Sequence, residues 1–236
     1  MQKPELSIVI PAYNEAAQIR KTLQQIYRYL QERDISGEVI VVDDGSTDKT
    51  SQVASKCGAQ VIRHAQNKGK GSAVRSGMLA AKGKYVLFTD VDLSTPIEEL
   101  DNLLKKIEQA DVVIGSRALP DSRIKVPQSW YRTKLGQIFA FLRSLIILRA
   151  FNDTQCGFKI FRNSVVDKLF IQQRINGFGF DVEILFLAHK IGLRILEMPV
   201  KWRDSKRTTV KSKHAFSMFC DLWRIRINDW LGRYEI

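Results

Sequence analysis

Tyr85-Val86-Leu87-Phe88-Thr89-Asp90-Val91-Asp92 decides how the rest of the chain is read. Four β-type apolar residues run into two aspartates spaced i, i+2, so a buried strand ends where acidic side chains begin. The chain on either side repeats this rhythm. Upstream, Leu6 to Ile10 is a short apolar run stopped by Pro11, and Asn14 is placed to cap a helix whose Ile19, Leu23, Ile26 and Leu30 recur at helical spacing. Gly37 closes that unit, and the strand Glu38 to Val42 runs into the turn Asp43-Asp44-Gly45-Ser46. A helix from about Asp48 to Lys56, a strand near Gln60 to His64 and a helix following Gly71 complete the upstream part. Downstream, a helix from Pro96 to Gln109 precedes a strand Val112 to Ile114. Strands separated by helices of this length make an α/β fold with a mostly parallel sheet between helices. In such sheets ligands bind beyond the carboxyl ends of the strands, which is where most of these carboxylates fall.

After Arg117 the rhythm breaks. From Pro127 to Ala150 a helical wheel gathers Tyr131, Leu135, Ile138, Phe139, Leu142, Leu145 and Ile146 on one arc, with Gln128, Arg132, Gly136 and Arg143 on the other side. Two readings stand for this amphipathic helix: it lies on a membrane with arginines toward lipid phosphates, or it packs on the sheet or in a dimer interface. A helix from about Asp181 to Ile191, a strand pair around Arg194 to Trp202 and a basic segment Arg203 to Lys213 follow. A last helix aligns Phe216, Phe219, Trp223, Ile227, Trp230 and Tyr234, an arc that reads first as core or interface and second as membrane contact.

The chain's 236 residues suffice to bury a core without staples, and 44% hydrophobic with 26% charged is a globular composition. Three widely spaced cysteines, Cys57, Cys156 and Cys220, argue against a disulfide framework or zinc ribbon and for a reducing compartment. No apolar run has the length of a membrane span, and Met-Gln-Lys-Pro-Glu lacks the order of a signal peptide, so neither spanning nor export is expected. The net charge of +12 is uneven: residues 1–116 carry 15 Lys+Arg against 15 Asp+Glu, residues 117–236 carry 22 against 10. The second half therefore suits an anionic partner, whether lipid surface, phosphorylated substrate or nucleic acid, or else a merely solvated basic face.

A lone Asp-x-Asp is most simply a surface turn. Here it is accompanied by Pro11-Ala12-Tyr13-Asn14-Glu15 after the first strand, Asp43-Asp44-Gly45-Ser46-Thr47-Asp48 after the second and Asn67-Lys68-Gly69-Lys70-Gly71 before a helix. Gly115-Ser116-Arg117, Asp153-Thr154-Gln155-Cys156-Gly157-Phe158-Lys159 and Phe180-Asp181-Val182-Glu183 follow. In order and spacing these resemble the family 2 GT-A glycosyltransferases over nearly the whole chain. The likeness is strongest to the polyprenyl-phosphate hexosyltransferases, the glucosyl branch in particular.

That resemblance implies a single GT-A domain over residues 1–236, with a nucleotide-sugar-binding half to 116 and an acceptor- and membrane-facing half beyond. It assigns Pro11, Tyr13, Asn14, Glu15, Val42, Asp44, Lys70, Gly71 and Val91 to the nucleotide sugar. Asp90 and Asp92 would hold Mg²⁺ or Mn²⁺, hard cations that favour carboxylate oxygens and retain places for phosphate. Arg117, Arg207 and Lys213 would clamp the diphosphate, Asp90, Asp92 and Arg117 being the catalytic set. Asp153, Gln155 and Asp181 would position acceptor or sugar, or else serve as caps and core hydrogen bonds. Glu15, Asp43 and Asp44 have the plainer roles of helix-end charge and turn former, and the Lys70-Gly71 helix start is either a ligand site or a solvated turn. Ser94, where mannosyl relatives carry glutamine, weakens a mannosyl assignment.

The expected activity is inverting transfer of a hexose from a nucleotide sugar, UDP-glucose before GDP-mannose, to dolichyl or another polyprenyl phosphate. Its expected place is the cytoplasmic face of a membrane, held peripherally, with a membrane-anchoring partner or a second copy of the chain left open. A soluble or polysaccharide acceptor is the alternative within the family, although the Gln-x-x-Arg-Trp segment of processive synthases is missing. Outside it stand an inactive scaffold and a nucleic-acid binder using the basic half. No nucleic-acid motif is found, and the acidic pair opposes a polyanion.

Overall fold

The computed structural model describes residues 3–126, 142–143, 146–147, 150–203 and 212–235, with 124–126 and 212–216 described by backbone alone. In chain order these form β1 (Leu6–Ala12), α1 (Ala16–Glu32), β2 (Gly37–Asp43), α2 (Thr50–Lys56), β3 (Gln60–Arg63), α3 (Lys70–Ala80) and β4 (Tyr85–Thr89). A 3₁₀ turn (Ile97–Glu99) then leads into α4 (Leu100–Ile107), β5 (Val112–Ser116) and β6 (Arg123–Val126). The described second half adds β7 (Phe158–Arg162), α5 (Asn163–Phe170), α6 (Phe180–Lys190), β8 (Ile195–Pro199), β9 (Lys201–Arg203) and α7 (Ser212–Trp230).

Seven strands form one sheet in the order β3-β2-β1-β4-β7-β5-β8. All run parallel except β7, which is antiparallel to both β4 and β5. The carboxyl ends of β1, β2, β4 and β5 therefore share one edge, and the antiparallel strand begins at that same edge. The sheet's apolar side chains divide between two layers. Ile8, Ile10, Leu87, Val113, Phe158 and Ile160 pack under α1 and α4 through Ile19, Leu23, Ile26, Leu100, Leu103 and Ile107. Val9, Val86, Phe88, Ile114 and Phe161 face α3, α5, α6 and α7.

Three local readings are corrected. β8 and β9 do not pair with each other: β8 joins β5 at the sheet edge, while β9 pairs with β6 in a separate two-stranded parallel sheet. β7 and α5 are additional elements. Asn14 does not cap α1; it adopts φ 57° and its Oδ1 accepts from the Thr47 backbone N–H. The first N–H groups of α1 are met instead from the β2–α2 loop and the start of α2, Ala16 N donating to Asp48 Oδ2 at 3.0 Å and Glu15 N to Thr50 Oγ1 at 2.9 Å. Helix starts leave such donors orphaned, and here a neighbouring loop satisfies them.

α7 is apolar on two sides. Leu222 and Ile225 are buried in the core, whereas Trp223, Ile227 and Trp230 are exposed, Trp230 by 70%. Within the arc expected to be core or interface, Trp223, Ile227 and Trp230 thus face outward, while Phe219 packs against the core and Tyr234 is buried against Glu183. Most of the segment 127–150 lies outside the described residues. Of its described part, Leu142 and Ile146 line a cavity with Phe219, Cys220, Leu222 and Trp223. Arg143 is buried and donates to the Phe151 carbonyl at 2.7 Å instead of standing on a polar face.

Candidate active site

The carboxyl edge collects most of the described residues singled out from the sequence. Tyr13 follows β1 with 43% of its surface exposed, a ring free to meet a flat partner. Its loop is stapled to the next one by Asn14 N donating to Ser46 Oγ at 2.9 Å. Pro11 and Val42 lie inside β1 and β2 with buried side chains. Asp44 is 3% exposed, and its carboxylate accepts from Lys68 N at 3.0 Å and Gly69 N at 2.8 Å and meets His64 Nδ1 at 2.7 Å. Most of its acceptor capacity serves to hold the Asn67–Gly71 loop against β2. Gly71 is a packing residue as well: an added Cβ would lie 2.6 Å from the Ile175 carbonyl oxygen and 2.7 Å from Phe180 Cβ, so its smallness lets α3 approach the start of α6.

Asp90 and Asp92 leave the end of β4 in a tight turn. Leu93 takes φ 46°, a conformation costly for a branched side chain, and the turn is held by the Thr22 hydroxyl on the Val91 carbonyl and by Ser94 N on Asp92 Oδ1 at 2.9 Å. Asp90 N donates to the Gly157 carbonyl at 3.2 Å. Gly157 must lack a side chain there, because a Cβ would stand 2.0 Å from Asp90 Oδ2. Lys70, on the first turn of α3, places Nζ 2.7 Å from Asp90 Oδ1. Burial works against its ammonium, yet Asp90, Asp181 and Asp92 outweigh that and raise its pKa above the ordinary lysine value.

No group of three His, Cys, Asp or Glu side chains suited to a metal occurs among the described residues. The donor set at the rim is two carboxylates on one turn. It fits Mg²⁺ or Mn²⁺, which bind through one or two carboxylates and fill their remaining positions with water and substrate phosphate, and it does not resemble a closed zinc site.

Arg117 and Asp153, expected at diphosphate and acceptor respectively, are joined. Arg117 Nε and Nη2 donate to Asp153 Oδ2 and Oδ1 at 2.7 and 2.9 Å, its backbone N donates at 3.0 Å, and its guanidinium lies over the Trp202 ring at 5.4 Å. Burial opposes ionisation of Asp153, but Arg117 and the backbone donors prevail and hold its pKa at about 2. Gln155 N donates to the same carboxylate, while Gln155 Nε2 is buried with no partner among the described residues. The neighbouring Cys156 thiol is pushed up to about 11 by burial and by Asp153, which makes it a packed thiol and not a nucleophile.

Asp181, on the first turn of α6, accepts from Lys159 Nζ at 2.5 Å, both side chains buried. Burial raises the Asp181 pKa against the pull of Lys159 and Lys70. Lys159 closes the Asp153–Lys159 run that carries the family resemblance but receives no site role from it; a lysine inside an apolar strand, Phe158-Lys159-Ile160-Phe161, is the signal that marks it. Arg207 lies outside the described residues, and Lys213 falls on α7 with only its backbone described. Arg203 N donates to the Ser94 carbonyl at 3.0 Å, so β9 ends beside the acidic turn.

An α/β sheet with one antiparallel strand, and an acidic pair at its carboxyl rim, defines the class: a GT-A-type glycosyltransferase. Solved structures support the fold. Mannosyl-3-phosphoglycerate synthase from Rubrobacter xylanophilus superposes with TM-score 0.74 at 18% identity, covering 99% of this chain and 76% of that one. Glucosyl-3-phosphoglycerate synthase from Mycobacterium tuberculosis, crystallised with Mn²⁺, UDP-glucose and phosphoglyceric acid, superposes with TM-score 0.70 at 22% identity, covering 99% and 80%. The chain belongs to glycosyl transferase family 2, whose model matches residues 7–170. Among curated relatives, the dolichyl-phosphate beta-glucosyltransferases of Drosophila melanogaster and Saccharomyces cerevisiae are each 36% identical over 98% of this chain and 77% and 76% of theirs. The human one is 33% identical over 98% and 78%.

Proposed function

We propose that the chain transfers glucose from UDP-glucose to dolichyl or a related polyprenyl phosphate with inversion at the anomeric carbon. The observation that carries this is the 36% identity, over 98% of the chain, to dolichyl-phosphate beta-glucosyltransferases, joined to an acidic rim suited to a divalent cation and a diphosphate. In the reaction an oxygen of the lipid phosphate attacks C1 of the sugar, the bond from C1 to the diphosphate oxygen breaks, and UDP leaves. A phosphate monoester is largely dianionic at neutral pH, so the attacking oxygen needs no proton removed. This agrees with a site in which His64 is engaged by Asp44 and Ser76. Asp90 and Asp92 would hold Mg²⁺ or Mn²⁺, which supplies charge neutralisation to the leaving diphosphate. Tyr13 stacks on the base, and Lys70 faces the phosphates from the α3 N-terminus. Arg117, oriented by Asp153 and Trp202, presents the guanidinium donors that Asp153 does not take to the same group.

The acceptor places the enzyme on a membrane, and we assign it to the cytoplasmic face, where its three free thiols are at home. No helix among the described residues is long and apolar enough to cross a bilayer. The outward Trp223, Ile227 and Trp230, with the exposed Arg224 on the same helix, suit the headgroup boundary of an anionic bilayer.

The test is incubation of the purified chain with radiolabelled UDP-glucose or GDP-mannose, Mn²⁺ and a short polyprenyl phosphate. Label moving from UDP-glucose into a β-linked organic-phase product supports the reading. Label moving only from GDP-mannose, or only onto a water-soluble acceptor, overturns it.

A further inference from the structure

A buried cation stands behind the acidic rim. Lys159 lies on β7 in register with Phe88, two residues before Asp90, and its side chain is 2% exposed. Its ammonium donates to Asp181 Oδ1 at 2.5 Å and to the Cys156 carbonyl at 2.6 Å. A buried lysine is costly unless paired, so the sequence keeps this one for a purpose that an apolar residue would not serve. The Phe88 ring carries two ammonium groups, Lys159 Nζ at 5.9 Å from its centre and Lys70 Nζ at 5.3 Å. Lys70 pairs with Asp90, and its charge is attracted by Asp181 as well. Charges of alternating sign thus run inward from the rim: Asp92 and Asp90, then Lys70, then Asp181, then Lys159.

Resting on the reading that Asp90 and Asp92 hold the metal, we infer that Lys159 is a positioning residue for that site. By neutralising Asp181 it leaves Lys70 to Asp90, and so sets how strongly the acidic pair attracts a divalent cation. With Asp181 satisfied from below, Lys70 competes with the metal for Asp90 until a diphosphate offers Lys70 another partner. The cation then enters with the nucleotide sugar and binds weakly without it.

Removing Lys159 and removing Asp181 should therefore act in opposite directions. Without Lys159, Asp181 draws Lys70 from Asp90 and adds negative charge near the rim. Without Asp181, Lys70 belongs wholly to Asp90 and the Lys159 charge is uncompensated. Binding of Mn²⁺ alone, read from the EPR signal of the free ion, measures this without turnover. The inference expects Lys159→Met to tighten Mn²⁺ binding about 3- to 10-fold, Asp181→Asn to weaken it by a similar factor, and the double variant to return within about two-fold of wild type. Circular dichroism establishes that each variant is folded; if Lys159→Met is not, Asp181→Asn and the double variant still decide. A merely structural pair would weaken binding in both single variants without restoration in the double, and that result overturns the inference, as does equal affinity in all. Should wild type and Asp92→Asn bind Mn²⁺ equally poorly with and without UDP, the metal reading itself fails and takes this inference with it.

Discussion

Gly157 lies directly beneath Asp90: a Cβ added to it would stand 2.0 Å from Oδ2, 2.4 Å from Cγ and 2.8 Å from Oδ1 of that carboxylate. The contact joins β4 to the start of the antiparallel strand and fixes where the acidic pair points. Gly157 φ is not in the left-handed region, so the glycine is required by the closeness of its neighbour and not by backbone strain.

Gly157→Ala should consequently leave the fold intact and misdirect Asp90. The carboxylate ends a short side chain and can swing away, so the melting temperature should shift little. A displacement of about 1 Å at a reacting centre is worth on the order of 100-fold in rate. Initial rates with UDP-glucose, set beside thermal unfolding of the same preparation, check this; a variant with undiminished kcat/KM would show that Asp90 needs no fixed aim.

The parallel strands were legible because each is an apolar run stopped by turn residues: Leu6 to Ile10 by Pro11, Glu38 to Val42 by Asp43-Asp44-Gly45, Tyr85 to Phe88 by the acidic pair. β7 was not, because Phe158-Lys159-Ile160-Phe161-Arg162 mixes cations into its pattern, and the usual rule sends a lysine outward. Its burial follows from tertiary pairing with Asp181, 22 residues on, which no local pattern contains. Most of the described candidate residues were legible as types and positions along the edge. Their partners were not: that Arg117 holds Asp153, or that Asp44 braces the Asn67–Gly71 loop, is set by contacts 36 and 24 to 25 residues apart.

The Arg117–Asp153 pair makes stability depend on pH in a defined window. Asp153 is held at about 2 against an unfolded value of 3.8. A depressed carboxylate contributes stability that is whole above its unfolded pKa and fades as pH falls toward the folded one. The shift corresponds to about 2 kcal/mol at neutral pH. Urea unfolding of wild type and Asp153→Asn between pH 7 and pH 2.5 should show a gap of at least that size above pH 5. The gap should narrow below pH 4, and a constant gap would contradict the ion-pair assignment.

The outward stripe of α7 separates membrane contact from core packing. Trp223 is 53% and Trp230 70% exposed, so the double variant Trp223→Ser, Trp230→Ser should remain folded, losing only the few kcal/mol that the covered part of the two rings contributes. Cosedimentation with vesicles containing anionic lipid should fall about 10-fold or more, since two interfacial tryptophans are lost. Turnover of a short, water-dispersed polyprenyl phosphate should be preserved. Vesicle binding unchanged by the double variant would remove α7 from the membrane-facing surface.

Asp48 supplies the last test, because it links the two loops that carry the nucleotide residues. Its Oδ2 accepts from Ala16 N at 3.0 Å, and its Oδ1 accepts from Thr50 N at 2.9 Å, so one carboxylate serves the start of α1 and its own loop. Asp48→Ala orphans both donors. A lost cap of this kind costs about 1 kcal/mol, and here the Tyr13–Glu15 segment loses part of its anchorage to the β2–α2 loop as well. The expected result is a modest fall in stability with a several-fold rise in KM for UDP-glucose and little change in kcat, because the acidic pair after β4 is untouched. Asp48→Asn keeps one acceptor oxygen and should fall between the two. Equal KM values for Ala and wild type would mean that the Tyr13 loop is positioned without Asp48, by the Asn14–Ser46 and Asn14–Thr47 bonds alone.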